Sequence, residues 1–102
     1  MHCTSKEEEI YLPISYNLKI PTLFSNKLIA PLIPADNGLT VEGVALGKKL
    51  FFDKILSKDN TQSCATCHNP QKAFTDNLQF SKGINGNLGN RNAMPLFNLA
   101  WN

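Results

Sequence analysis

The sequence predicts an all-α domain with long irregular loops and an extended Pro-rich N-terminal segment, and three patterns carry that prediction. Apolar residues recur at helical spacing from about Thr40 to Asp53. Pro13, Pro21, Pro31 and Pro34 punctuate the stretch before it. After Phe74, glycine and asparagine alternate with no helical or strand period.

The chain has 102 residues, room for one domain that buries roughly two thirds of its unfolded surface. With 42% hydrophobic and 18% charged residues it is globular in composition. A net charge of +2, scattered along the chain, excludes a nucleic-acid binder. No run approaches the roughly 18 apolar residues of a membrane helix.

Residues 1–10 form a polar leader expected to be flexible. Met1 and His2 leave no room for a signal sequence. Cys3, followed by Thr4, Ser5, Lys6 and a run of glutamates, looks like the first residue of a mature bacterial lipoprotein; a free terminal thiol is the alternative. In residues 11–38 each proline removes a backbone donor and pushes its predecessor towards extended geometry. That segment should wrap over a surface and form no helix. Ala35, Asp36, Asn37 and Gly38 mark a turn, and the region 39–102 follows.

Thr40 is placed to cap a helix, with Glu42 in its first turn. Val41, Val44, Ala45, Leu46, Leu50, Phe51 and Phe52 supply its apolar positions. Gly43 and Gly47, four apart, share a side that admits another backbone or a flat group, although plain helix packing explains them as well. Lys48, Lys49, Lys54 and Lys58 read as a solvated face and loop. A second, short helix is expected from Gln62 to His68, ended by Asn69 and Pro70. Gly83, Gly86 and Gly89, interleaved with Asn85, Asn87, Asn90 and Asn92, form an irregular loop with no preceding strand and so no phosphate-binding turn. Met94 to Trp101 opens an apolar segment that stops in mid-pattern and reads as a truncated end.

The chemistry concentrates in Ser63-Cys64-Ala65-Thr66-Cys67-His68-Asn69-Pro70. On a helix Cys64, Cys67 and His68 project to one side. Two thiols so spaced can add across the two vinyl groups of a porphyrin, and the adjoining imidazole can bind its iron. A zinc site would need two more ligands, which only His2 and Cys3 offer. A dithiol redox pair would need a strand before the motif, where the sequence has the charged loop Ser57 to Thr61. The sixth iron position is open in this reading: Met94 is the only methionine after the motif and fits a core position better than a ligand.

The run Leu46 to Asp53, then Leu56-Ser57, the Ser63-to-Pro70 stretch, Ala73-Phe74-Thr75-Asp76, Ser81, Gly83 and Gly89-Asn90-Arg91-Asn92-Ala93 resembles the N-terminal haem domain of the bacterial di-haem cytochrome c peroxidases, a family that includes the di-haem enzyme of methylamine utilisation. The likeness runs from about Pro34 to the end. It implies a cytochrome c-like haem domain with covalent haem c on Cys64 and Cys67 and His68 as proximal ligand. It also implies reduction of hydrogen peroxide to water, with electrons relayed by a C-terminal haem domain from a small cytochrome or copper protein, in the periplasm. Asn92 matches a position that contributes to a calcium site between the two domains, and Arg91 lies where a haem propionate or a plain loop would claim it. Ile84 stands where members activated by reduction carry a distal histidine. The second class of reading is a small mono-haem c-type cytochrome for electron transfer, with Met94 or another group on the sixth position of the iron.

Overall fold

The structure, a computed structural model, describes residues 10–101. The expectations for His2, Cys3 and the polar leader up to residue 9 lie outside these residues. Three helices, α1 (Thr22–Lys27), α2 (Val41–Phe52) and α3 (Cys64–Cys67), are joined by long loops with 3-10 turns at Pro70–Lys72, Ile84–Gly86 and Leu99–Trp101. No strand occurs among the described residues; single antiparallel bridges join Ser15 to Thr40, Asn69 to Thr75 and Lys82 to Leu88.

The Pro-rich segment departs from expectation, because α1 lies within it. The reason is placement: Thr22 to Lys27 contain no proline, and Pro21 sits at the cap, its carbonyl accepting from the N–H of Phe24 at 2.9 Å and of Ser25 at 3.1 Å. Proline there has no interior helical bond to lose. Upstream, the segment runs antiparallel to the start of α2, with Tyr16 N–H donating to Leu39 at 2.9 Å and Val41 N–H to Ile14 at 2.8 Å. Downstream, the Trp101 indole N–H donates to the Ile29 carbonyl at 2.8 Å, and its ring meets Phe24 edge-on with centroids 5.4 Å apart.

α2 follows its local signals. The Thr40 hydroxyl accepts from Gly43 N–H at 3.0 Å, closing the first turn. A Cβ on Gly43 would stand 2.9 Å from that oxygen, so the glycine makes room for the cap. Gly47 faces nothing within 4 Å among the described residues. Glu42 does more than meet the helix dipole. One carboxyl oxygen accepts from Ile14 N–H at 3.1 Å, and the Tyr11 hydroxyl bound to it holds the carboxyl below the usual range. The helix stops at Asp53, whose backbone is extended and whose side chain accepts from Ile55 N–H at 3.0 Å. Thr40→Ala is expected to lower the stability of the haem-loaded protein by about 1 kcal/mol. A denaturant midpoint unchanged by the substitution would refute that role.

α2 packs on α3, and an edge-to-face chain of Phe52, Phe51, Phe74 and Phe97 continues from that contact. Little else is covered. Ala93 and Asp76 are the only buried residues among those described, and no side chain is fully enclosed. The accessible surface is 9204 Å², against about 5,700 Å² for a compact monomer of this mass. A radius of gyration of 19.4 Å, where about 13 Å is usual, says the same.

Candidate functional site

Site geometry begins at α3. Thr66 reaches back, its hydroxyl accepting from Ser63 N–H at 3.0 Å, which is half of a capping box and holds the first turn. The helix is shorter than expected, because His68 leaves it: its N–H still bonds the Cys64 carbonyl at 2.9 Å, but its backbone, at φ −109 and ψ 66, is no longer helical. Cys64 and Cys67 therefore share one turn, and the direction of the imidazole is set by other contacts than helix spacing.

Those contacts are two backbone carbonyls. The His68 Nδ1 lies 3.0 Å from the Phe74 carbonyl and 3.0 Å from the Met94 carbonyl. Carbonyls only accept, so Nδ1 carries a proton, and in the neutral ring it is Nε2 that has the lone pair. Nε2 has no partner among the described residues and is not a buried atom. A neutral imidazole fixed in this tautomer is prepared to bind a metal through Nε2.

The chain spends strain to aim one of these carbonyls. Ala73 and Phe74 are both left-handed, at φ 55 and φ 60, a conformation that costs a non-glycine residue roughly 1–2 kcal/mol. Bonds from Phe74 N–H to Asn69 at 2.8 Å and from the Thr75 hydroxyl to Ala93 at 2.7 Å hold the turn. Strain retained beside a functional group is the pattern of pre-organisation.

Cys64 and Cys67 are free thiols, the first exposed and the second half-buried. Burial, then the charge of Asp76, pushes the Cys67 thiol up from its ordinary value. A dithiol redox pair depends on the opposite shift, and no strand precedes α3 among the described residues. Asp76 itself is held below the usual carboxylate range by the Ser81 hydroxyl and the Leu78 N–H. The Ser81 oxygen stands near enough for that influence yet makes no hydrogen bond of normal geometry.

Two clefts flank the motif. The larger, of about 530 Å³, is almost wholly apolar, with Phe51, Phe52, Pro70, Phe74 and Leu96 among its walls. It adjoins the motif through Pro70 and Phe74 but contains none of the three motif side chains. The smaller, of about 410 Å³, contains Cys67, with Asp76, Leu78 and Gly83. A group bonded to Cys67 borders the smaller cleft, which contains neither Cys64 nor His68. Free thiols one turn apart, an imidazole with Nε2 open and an accessible cleft at Cys67 fit a covalently attached haem.

Met94, considered above as a sixth ligand, is placed elsewhere. Its backbone carbonyl lies 3.0 Å from Nδ1, and the residue is 68% exposed. Asn92 and Arg91 are exposed, and no group of three or more His, Cys, Asp or Glu able to hold a metal occurs among the described residues. Ile84 begins the 3-10 turn at Ile84–Gly86, where Asn85 at φ 58 and Gly86 at φ 72 account for an asparagine–glycine pair. Sequence reasoning did not find the two carbonyls or the burial of Asp76.

Residues 41–102 match the family model of the di-haem cytochrome c peroxidases. The chain belongs to that family. Among curated members, the methylamine utilisation protein MauG of Methylorubrum extorquens is 48% identical over 68 residues, covering 67% of this chain and 19% of that protein. Cytochrome-c peroxidase IdrP1 of Pseudomonas sp. strain SCT is 33% identical over 94 residues, covering 88% of this chain and 25% of its own length. A crystal structure of a MauG-like protein associated with microbial copper homeostasis superposes with a TM-score of 0.68 at 38% identity, over 78% of this chain and 21% of that one. The chain thus spans about a fifth to a quarter of the di-haem peroxidases it matches. Its mostly helical and irregular architecture agrees with that of the MauG-like neighbour.

Proposed function

We propose that this chain is the haem c-binding domain at which a di-haem peroxidase reduces hydrogen peroxide to water. The observation that carries the reading is the His68 imidazole, its Nδ1 proton shared between the Phe74 and Met94 carbonyls and its Nε2 open. Cys64 and Cys67 form the two thioether bonds, and His68 is the proximal ligand. When bound, haem c supplies the iron at which peroxide takes two electrons and two protons and leaves as two waters.

The residues of this chain attach, orient and shield. The two carbonyls keep the proton on Nδ1 and raise the basicity of Nε2. The turn at Ala73 and Phe74 prevents the ring from rotating. Ile84 cannot ligate iron and the Met94 carbonyl is engaged by Nδ1, so a haem held by His68 would leave its iron accessible to peroxide as a Lewis acid and electron donor. That same placement of Met94 counts against the reading as a mono-haem electron carrier.

Electrons reach the site from a C-terminal haem domain supplied in turn by a small cytochrome or copper protein. Residues 39–102 are the haem-binding region, 11–38 a segment laid along it, and Cys3 in the leader a lipid attachment point in the periplasm. Asn92 supplies one oxygen to a calcium ion whose other ligands come from the remainder of the longer protein. Alone, the chain holds haem and turns peroxide over slowly.

The test is the absorption spectrum after export in a host with cytochrome c maturation, followed by alkaline pyridine treatment of the denatured protein. Haem that survives denaturation with a c-type reduced band, and a native high-spin ferric spectrum, are the expected results. A low-spin spectrum with a methionine charge-transfer band would favour the electron carrier, and a colourless protein would overturn the haem assignment.

A further inference from the structure

We propose that the Asp76 carboxylate sets the reduction potential of the haem tethered at Cys67, holding the iron towards its ferric form. The inference rests on the haem reading above and concerns a residue that neither attaches nor ligates the group.

Asp76 is 8% exposed, and it is the one acidic residue lining the cleft that contains Cys67. Its position is built. One carboxyl oxygen accepts from Leu78 N–H at 3.0 Å, and the neighbouring Thr75 hydroxyl is tied to the Ala93 carbonyl at 2.7 Å. The charged groups facing it are cations, Lys72 and Lys82, which line the same cleft and are exposed. Lys72 Nζ reaches the Asp76 backbone carbonyl at 3.4 Å, so one ammonium sits beside the acid but on its solvent side. A solvated ammonium offsets a covered carboxylate only in part, because water screens the exposed charge more strongly.

The consequence is thermodynamic. Reduction adds one electron to the iron and removes one positive charge from the porphyrin complex. A fixed negative charge in the cleft favours the more positive, ferric form, and the attraction is stronger where water is excluded. Asp76 thereby acts as a positioning charge for the electron equilibrium, with no proton or bond changing at the carboxyl itself.

The experiment is a potentiometric titration of the haem-loaded protein and of its Asp76→Asn variant, after alkaline pyridine treatment has established covalent haem in both. Asparagine keeps the oxygen that accepts from Leu78. The ferric-to-ferrous ratio at a fixed ambient potential is expected to fall about tenfold, which for one electron is a rise of about 59 mV. Asp76→Glu, which retains the charge, is expected to stay within about twofold of the parent. An unchanged ratio in Asp76→Asn overturns the proposal. If that variant takes up no haem, Asp76→Ser, which also removes the charge and keeps an oxygen, decides: a lowered ferric fraction supports the role of Asp76 and an unchanged one overturns it. A parent protein without denaturation-resistant haem overturns the haem reading first, and this inference with it.

Discussion

Replacing Cys64 and Cys67 together by serine is expected to abolish haem that survives denaturation. In the parent both porphyrin bonds resist acid and organic extraction, whereas in the double variant all haem should pass into the organic phase. The structural effect should be as large as the chemical one. With only Ala93 and Asp76 buried among the described residues, the chain has little apolar burial of its own to oppose the conformational entropy of folding. A tethered macrocycle supplies the missing interior at a fixed place, and an untethered one must be held by His68 and contact alone. The double variant should lose its cooperative thermal transition at temperatures where the parent keeps it. Extraction-resistant haem in the variant would overturn the assignment of these two thiols.

His68→Ala is expected to leave the thioethers intact while removing the proximal nitrogen. Peroxide turnover by the longer protein should fall by about 100-fold or more, since even outer partners of a metal-ligating histidine are typically worth 10- to 100-fold. The loss is double: Nε2 is gone, and the Phe74 and Met94 carbonyls lose a shared donor, each such bond being worth about 1 kcal/mol. Free imidazole at millimolar concentration should enter the vacated space and restore part of the parent spectrum. That rescue separates a lost ligand from a collapsed loop. Turnover undiminished by His68→Ala would refute the proximal role.

The helix at Val41–Phe52 was legible because everything that defines it is local: a threonine cap, an acidic first turn and apolar residues at helical spacing. The helix at Thr22–Lys27 was not, because four prolines dominate the reading of their segment while six residues between them are free to coil. The proposed attachment residues stand out by their spacing, yet the helical geometry expected for them fails at His68. His68 is steered by backbone carbonyls six and 26 residues further along, and a carbonyl has no residue-type signature. Asp76 belongs to the same class: its cover comes from the loop near Ser81, and nothing in its own neighbourhood announces burial. Asn85 became intelligible only once its positive φ was visible.

The bond from Trp101 to Ile29 joins positions 72 residues apart, and it therefore sets an order of assembly. A ribosome adds about 5–20 residues per second, so the partner of Ile29 arrives roughly 4–15 s after it. Cys64, Cys67 and His68 all emerge inside that interval. The segment around α1 therefore lacks its anchor until Trp101 has been added, and the clasp closes only after the whole motif region is present in the chain.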